Sequence, residues 1–318
     1  MPSIVQLKYI LSVDKLKHFG KAAEECHVSQ PSLSIQIQKV EEEIGVLLFD
    51  RLKKPIVATE KGFHFIEQAR RVVVEHEKLI GISAQFDGEI SGTFHLGIIP
   101  TIMPYLLPLF LKSFSDRYPK VKLIIDELKT QDIIDLLRTD SLDAGILATP
   151  LKEKGIRERK LYYEPFMVYA NEESPVLKSI EVELDNLSSK DIWLLEDGHC
   201  FRNQITQYCS MNRSEMVYPN IVFEGGNLET LRQLVRSSRG YTLVPSLFVD
   251  QLSVDERNKN IRRLASPIPT REISLVFQRD QWKTDIIKVL MTCVQECLPE
   301  SVFEKVGSDH QIMDIDSV

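Results

Sequence analysis

The chain has 318 residues, 43% of them hydrophobic and 27% charged, with a formal net charge of −7. That is room for two or three domains with cores of their own, in a composition that excludes a disordered or fibrous protein. No apolar run reaches the ~18 residues of a membrane span, and the N-terminus, MPSIVQLKYILSVDKLKHFG, is too evenly charged for a signal peptide, so a cytoplasmic protein is expected.

Residues 3–13 carry Ile4, Leu7, Ile10 and Leu11 at helical spacing. A second short helix, Lys21–Cys26, contains Ala22 and Ala23, small enough for close helix approach, and His27 and Val28 make a tight turn. Ser29 is a good N-cap for a third helix, with Pro31 in its first turn, where a missing N–H costs nothing. Leu33, Ile37, Val40 and Ile44 form its buried stripe.

The other face of that helix offers Gln30, Ser32, Ser34, Gln36, Gln38 and Lys39, with no carboxylate from Gln30 to Lys39. Short hydroxyls, amides and a lysine are the groups that meet base edges and phosphates. The following RLKKPIVATEKG reads as a basic β-wing whose Arg51, Lys53 and Lys54 reach flanking phosphates. Overall charge opposes this reading, since residues 1–60 hold eight Lys/Arg against eight Asp/Glu. On the residues alone, a small three-helix packing unit with a solvated polar face stays open.

From Thr59 to about Gln85 one long helix is expected, with Ile66, Ala69, Val73, His76 and Ile80 as a coiled-coil seam and Phe65, Val72 and Leu79 flanking it. The seam predicts pairing with a second copy; His76 within it reads as a packing residue rather than a metal ligand. Asp87–Gly92 reads as a hinge. Strands and helices then alternate: strand Phe94–Ile99, helix Pro104–Tyr118, strand Val121–Glu127, helix Gln131–Thr139, strand Ala144–Ala148. The pattern recurs as Ile192–Leu195, Phe201–Met211, Ile221–Phe223, Leu228–Ser238 and Tyr241–Val244. A mainly parallel sheet in two halves is predicted, with a ligand cleft at strand C-termini. Strand Glu272–Gln278 and helix Thr284–Cys297 return to the first half. The expected domains are 1–58 (DNA reader), 59–91 (linker helix and hinge), 92–300 (sensor) and 301–318 (flexible tail).

The segment LLEDGHCFRNQITQYC, Leu194–Cys209, carries the most chemistry. With Asp197 as N-cap, Cys200 sits in a first helical turn, where free N–H groups and the helix dipole favour a thiolate, and His199 and Arg202 add donors or positive charge. A small residue packed at a helix start is the alternative. Cys209 follows nine positions later, ~13–14 Å along a helix, whereas a disulfide tolerates only ~7 Å between Cα atoms. The pair can bond only if the helix unravels. Cys26 reads as core. Cys293 and Cys297 share a helix face without a third ligand nearby, so they read as structural, and no metal or cofactor is expected.

The string F-x-x-A-A-x-x-x-x-V-S-Q-P-S-L-S-x-Q-I-x-x-x-E-x-x-x-G-V-x-L-F-x-R, Phe19 to Arg51, resembles the winged helix-turn-helix signature of LysR-type regulators. The resemblance implies a non-enzymatic transcription regulator acting on double-stranded DNA, with RNA polymerase as a further partner and a homodimer or homotetramer as its assembly. It also implies a sensor domain like a periplasmic binding protein. E-D-G-H-C-x-R-x-Q and G-x-I-P-T-x-x-P-Y-L-L-P at Gly97–Pro108 resemble the OxyR group of peroxide-sensing LysR-type regulators. That likeness implies that Cys200 attacks hydrogen peroxide, that Cys209 resolves it to a disulfide, and that Thr101, Thr130, His199 and Arg271 surround the peroxide. Glutaredoxin or thioredoxin would be the reductant. Asn203 departs from the group's usual Asp, removing a carboxylate near the reactive sulfur. A LysR-type regulator of a small metabolite, with incidental cysteines, is the alternative; a thiol peroxidase leaves the DNA reader without a purpose.

Overall fold

The computed structural model describes residues 1–85, 89–187, 192–195, 225, 227–238, 240–279, 281 and 283–313. The elements expected at Phe201–Met211 and Ile221–Phe223, and part of the Asp87–Gly92 hinge, lie outside them. The chain packs as two compact units, one built on Met1–Ile90 and one on the residues from Ser91 onward.

In the first unit, α1 (Ile4–Leu16) opens with a reciprocal Ser3/Gln6 capping box. It packs on α2 (Phe19–Glu25) and α3 (Gln30–Ile44). The Ser29 hydroxyl accepts from the Ser32 N–H, Pro31 stands in the first turn, and Gly45, at φ +68°, ends α3 in the left-handed region. Strands β1 (Phe49–Asp50) and β2 (Val57–Ala58) form the antiparallel wing. The buried Glu41 carboxylate ties α3 to that wing, accepting from the N–H groups of Leu48 (2.8 Å) and Phe49 (3.3 Å). Helix α4 (Glu60–Gln85) starts directly against the wing, because a Cβ at Gly62 would overlap the Leu48 carbonyl oxygen.

The linker seam divides in a way that its period does not reveal. Ile66, Ala69 and Val73 are buried in this chain's own core with Leu7, Ile10, Leu33 and Ile37, and α1 is the helix they meet. They are therefore not available to a second copy. Among the residues of α4 whose burial is described, Phe63, Val72, Leu79 and Ile80 are apolar and exposed.

In the second unit, β3 (Gly92–Ile98), α5 (Met103–Arg117), β4 (Val121–Glu127), α6 (Thr130–Arg138) and β5 (Ala144–Thr149) alternate, and the three strands are parallel. At Gly145 a Cβ would collide with Ile133, so glycine is what lets α6 lie close on the sheet. The chain continues into β6 (Ile156–Ala170), β7 (Glu181–Val182), α7 (Leu228–Ser237), β8 (Tyr241–Pro245), α8 (Ser246–Asp250), α9 (Val254–Asn260) and β9 (Ile261–Leu264). It returns through β10 (Ile268–Gln278), α10 (Thr284–Glu296) and β11 (His310–Ile312).

The sheet is mixed rather than mainly parallel. Strand order is β4-β3-β5-β10-β6-β9-β7, with β8 on β6 and β11 on β10. Strand β10 runs antiparallel to both β5 and β6. The 15-residue β6 serves both halves: Ile156–Pro165 pairs with β10, and Phe166–Ala170 pairs with β8. Helix α10 packs on α5 as expected, with Cys293 buried and its thiol pointing at the Phe110 carbonyl; burial raises that thiol's pKa, in keeping with a structural role.

The tail departs from expectation. Instead of fraying after residue 300, it is held to Met313, which is fully buried, and β11 adds a parallel strand to the start of β10. Among the described residues no helix is long and apolar enough to cross a membrane.

Candidate functional site

In the first unit, Gln30, Pro31, Ser32, Gln38 and Lys39 are exposed along one side of α3, opposite buried Leu33, Ile37 and Val40. Ser34 is half-buried and accepts from an Arg51 Nη1–H at 3.2 Å. Arg51 also pairs with Glu41 at 2.8 Å and lies over the Phe19 ring, so its guanidinium braces the wing against α3 as well as facing solvent. Lys53 and Lys54 are exposed in the wing turn.

In the second unit, Thr101 and Arg271 come into direct contact. Thr101 lies in the turn between β3 and α5 and is 1% exposed; Arg271, inside β10, is fully buried. Arg271 Nη1 donates to Thr101 Oγ1 at 3.1 Å, and Nη2 donates to the Thr101 carbonyl at 3.3 Å. The charge is met by Glu164, equally buried and directly across the β6–β10 ladder. Arg271 Nε and Nη2 approach Glu164 Oε2 at 2.8 and 2.7 Å. The second carboxylate oxygen accepts from the Leu247 N–H at 2.9 Å, at the start of α8. One ion pair thus joins β6, β10, the turn after β3 and α8.

Sequence reasoning missed Glu164. Its one signal was a lone carboxylate in the apolar run LYYEPFMVYA, matching the lone arginine in IPTREISLVF. Tyr162 and Ser246 are also buried there, with hydroxyls that have no hydrogen-bond partner among the described residues. Burial and the Glu164 charge raise the Tyr162 pKa well above the usual phenol range, so it stays neutral. Tyr105 of α5 meets Phe248 of α8 edge to face, with ring centroids 5.5 Å apart, closing the packing beside the pair.

Thr130 is the first residue of α6, partly exposed. It follows β4 at the edge where β3 also ends, as the pairing of Ile98 with Glu127 requires. Ile192 bridges Tyr241 in parallel, and the Trp193 N–H donates to the Tyr241 carbonyl at 2.8 Å. Leu195, fully buried, therefore runs beside β8 toward the end from which α8 begins. His199, Cys200, Asn203 and Cys209 lie outside the described residues. Among the described residues no group of three or more His, Cys, Asp or Glu is placed to hold a metal ion.

Residues 4–63 match the bacterial regulatory helix-turn-helix protein, lysR family, and residues 87–298 match the LysR substrate binding domain. The chain belongs to the LysR family. This LysR-family chain is 33% identical over 278 residues to a hydrogen peroxide-inducible genes activator of Haemophilus influenzae, covering 87% of this chain and 90% of that one. It is 33% identical over 278 residues to the DNA-binding transcriptional dual regulator OxyR of Escherichia coli, covering 87% and 89%. Among solved structures, a cysteine-to-aspartate variant of full-length OxyR from Pseudomonas aeruginosa superposes with a TM-score of 0.76 at 30% identity, covering 94% of this chain and 99% of that one. A hydrogen-peroxide-bound mutant OxyR from Corynebacterium glutamicum gives 0.62 at 28% identity, covering 93% and 92%.

The ion pair makes a stability prediction for the LysR-family regulator. Arg271→Met strands a buried carboxylate and is expected to cost about 3–5 kcal/mol. Glu164→Leu is expected to cost a similar amount, and the double substitution less than the two singles summed. Urea denaturation of the four proteins measures this; additive losses would show that the two charges do not depend on each other.

Proposed function

We propose that this protein is a DNA-binding transcription regulator switched by hydrogen peroxide through a reversible Cys200–Cys209 disulfide. The observation that carries the reading is the buried Thr101–Arg271–Glu164 cluster, toward which Leu195, ahead of the cysteine segment, is directed. The peroxide-responsive names of the relatives support it. We read the second unit as two lobes in the manner of periplasmic binding proteins, joined by β6 and β10, with the reaction site between them.

The chemistry is a two-electron oxidation. Cys200 thiolate attacks one peroxide oxygen, the O–O bond breaks, and the departing hydroxide takes a proton to become water. Cys209 thiolate then attacks the sulfenic sulfur, the S–O bond breaks, and the hydroxide takes a proton to leave as a second water as the disulfide closes. A hydroxyl that accepts from a guanidinium keeps its own proton as a polarised donor, so Thr101, backed by Arg271, is suited to stabilise the leaving oxygen. Thr130 and His199 complete the set of donors. Cytosolic thiol reductants such as glutaredoxin or thioredoxin reset the switch, and RNA polymerase reads its outcome.

One equivalent of peroxide is expected to remove two free thiols from the parent protein. Cys200→Ser is expected to remove none and to lose the response, while Cys209→Ser retains a sulfenic acid. Thiol counting with peptide mapping decides it, and a Cys200 that stays a thiol while DNA binding responds to peroxide sinks the mechanism.

The face of α3 from Gln30 to Lys39, with Lys53 and Lys54 of the wing, is the DNA-reading surface. Lys39→Ala is expected to weaken binding to all sequences and to lower the salt slope by about 1, and Gln30→Ala to act sequence-selectively. Titrations at several salt concentrations test this, and unchanged binding by both variants would move the surface elsewhere.

The exposed apolar residues of α4 are the contact between copies, giving a dimer and then a tetramer. Leu79→Glu is expected to lower the mass seen by light scattering; a parent that is already monomeric at micromolar concentration refutes the assembly.

A further inference from the structure

Strands β6 and β10 are the two places where the chain crosses between the lobes, and at that level, among the described residues, only the C-terminal segment lies beside the ribbon they form. Strand β5 pairs with β10 only from Glu272 onward, and β8 and β9 pair with β6 only from Phe166 or Met167 onward. Arg271 and Glu164 sit in this two-stranded stretch. A ribbon with bare edges is free to twist, and a pocket built on it inherits that freedom.

The C-terminal segment closes both edges. On the β6 side, Phe303 exchanges two backbone hydrogen bonds with Tyr163 (2.7 and 3.1 Å) and stacks on its ring. On the β10 side, the Ile268 N–H donates to the Asp309 carbonyl at 2.8 Å and the Met313 N–H to the Thr270 carbonyl at 2.9 Å. His310 Nδ1 lies 2.9 Å from Thr270 Oγ1, and its ring packs edge-on against Phe303. Val302 and Met313 anchor the two ends in the core. The residues gripped, Tyr163 and Thr270, are the immediate neighbours of Glu164 and Arg271. Side chains alternate across a strand, so the segment supports the ribbon from the face opposite the ion pair.

We propose that residues 302–313 are a positioning strap for the peroxide pocket, with His310 as its latch: by fixing Thr270 and Tyr163 they set the placement of Arg271, and through it the Thr101 hydroxyl. This rests on the pocket reading given above. The strap touches neither substrate nor sulfur; it acts through the orientation of groups that do.

The test compares the full-length parent with His310→Ala, His310→Asn and a chain ending at Glu300. Two rates at Cys200 are measured: oxidation by hydrogen peroxide, and alkylation by iodoacetamide, which needs no donor for a leaving hydroxide. Misplacing a positioned group by about 1 Å can cost as much as ~100-fold. His310→Ala and the shortened chain are therefore expected to slow peroxide oxidation about tenfold, with alkylation within about twofold of the parent. Asn, which places a nitrogen or oxygen near the Nδ1 position, is expected to restore most of the peroxide rate. In a Thr101→Val background His310→Ala is expected to add less than about twofold, since both act on one group.

An unchanged peroxide rate in His310→Ala and in the shortened chain overturns the strap, as does an equal fall in both rates, the mark of general loosening. Should the shortened chain fold poorly, the His310 pair decides alone. If Thr101→Val itself reacts with peroxide as fast as the parent, the pocket reading is what fails, and the strap falls with it.

Discussion

A guanidinium and a carboxylate that face each other out of reach of water hold the sensor unit to one arrangement. Neither Arg271 nor Glu164 tolerates burial without its partner, so every element that touches the pair is placed by it. A slip of one residue between β6 and β10 would turn the two charges to opposite faces of the sheet, leaving both buried and unpaired. The register of the longest ladder among the described residues is thereby set by electrostatics as much as by apolar packing. Anchorage of the turn after β3 and of α8 follows from the same two side chains.

The first unit meets a different constraint, that of reading a polyanion from within an acidic protein. It does so by placement rather than by charge total. Glu41 is turned inward to hold the wing, and Glu42 lies beyond Lys39, accepting from Gln38. The exposed face from Gln30 to Lys39 carries amides, hydroxyls, one lysine and the apolar Pro31 and Ile35, and no carboxylate. Long-range repulsion of DNA by the remaining carboxylates is screened within roughly 8 Å at physiological salt, so short-range geometry governs the encounter.

Local patterns were the legible part of the sequence. Helical spacing located α1 and α3, the alternation of strands and helices located α5 and α10, and the Ser29–Pro31 start of α3 was written in residue type. What stayed hidden depended on partners distant in the chain. Strand β6 runs through four consecutive charged residues, Arg157–Lys160, and is then buried on both faces, so no single period describes it. Arg271 and Thr101 were legible through resemblance to a family, yet Glu164 was not, since its partner lies 107 residues away. The Ile66–Val73 stripe has the right spacing for two different neighbours, and spacing cannot name which one is met. The tail is polar in composition, and its order comes from a few residues, Val302, Phe303 and Met313, whose docking sites are elsewhere in the chain.

The path of β10 has a consequence for how this protein is made. Its place in the sheet is between β5 and β6, yet it begins 119 residues after β5 ends (268 − 149). At ribosomal speeds of ~5–20 residues per second, that gap lasts on the order of ten seconds. Throughout it, β5 and the first part of β6 have no central strand to join them. The later lobe, whose β8 and β9 follow β6 without such an interruption, is complete before the earlier one can close. Nascent chains of this protein therefore pass through a stage with open, apolar strand edges, the interval in which a chaperone has most to protect.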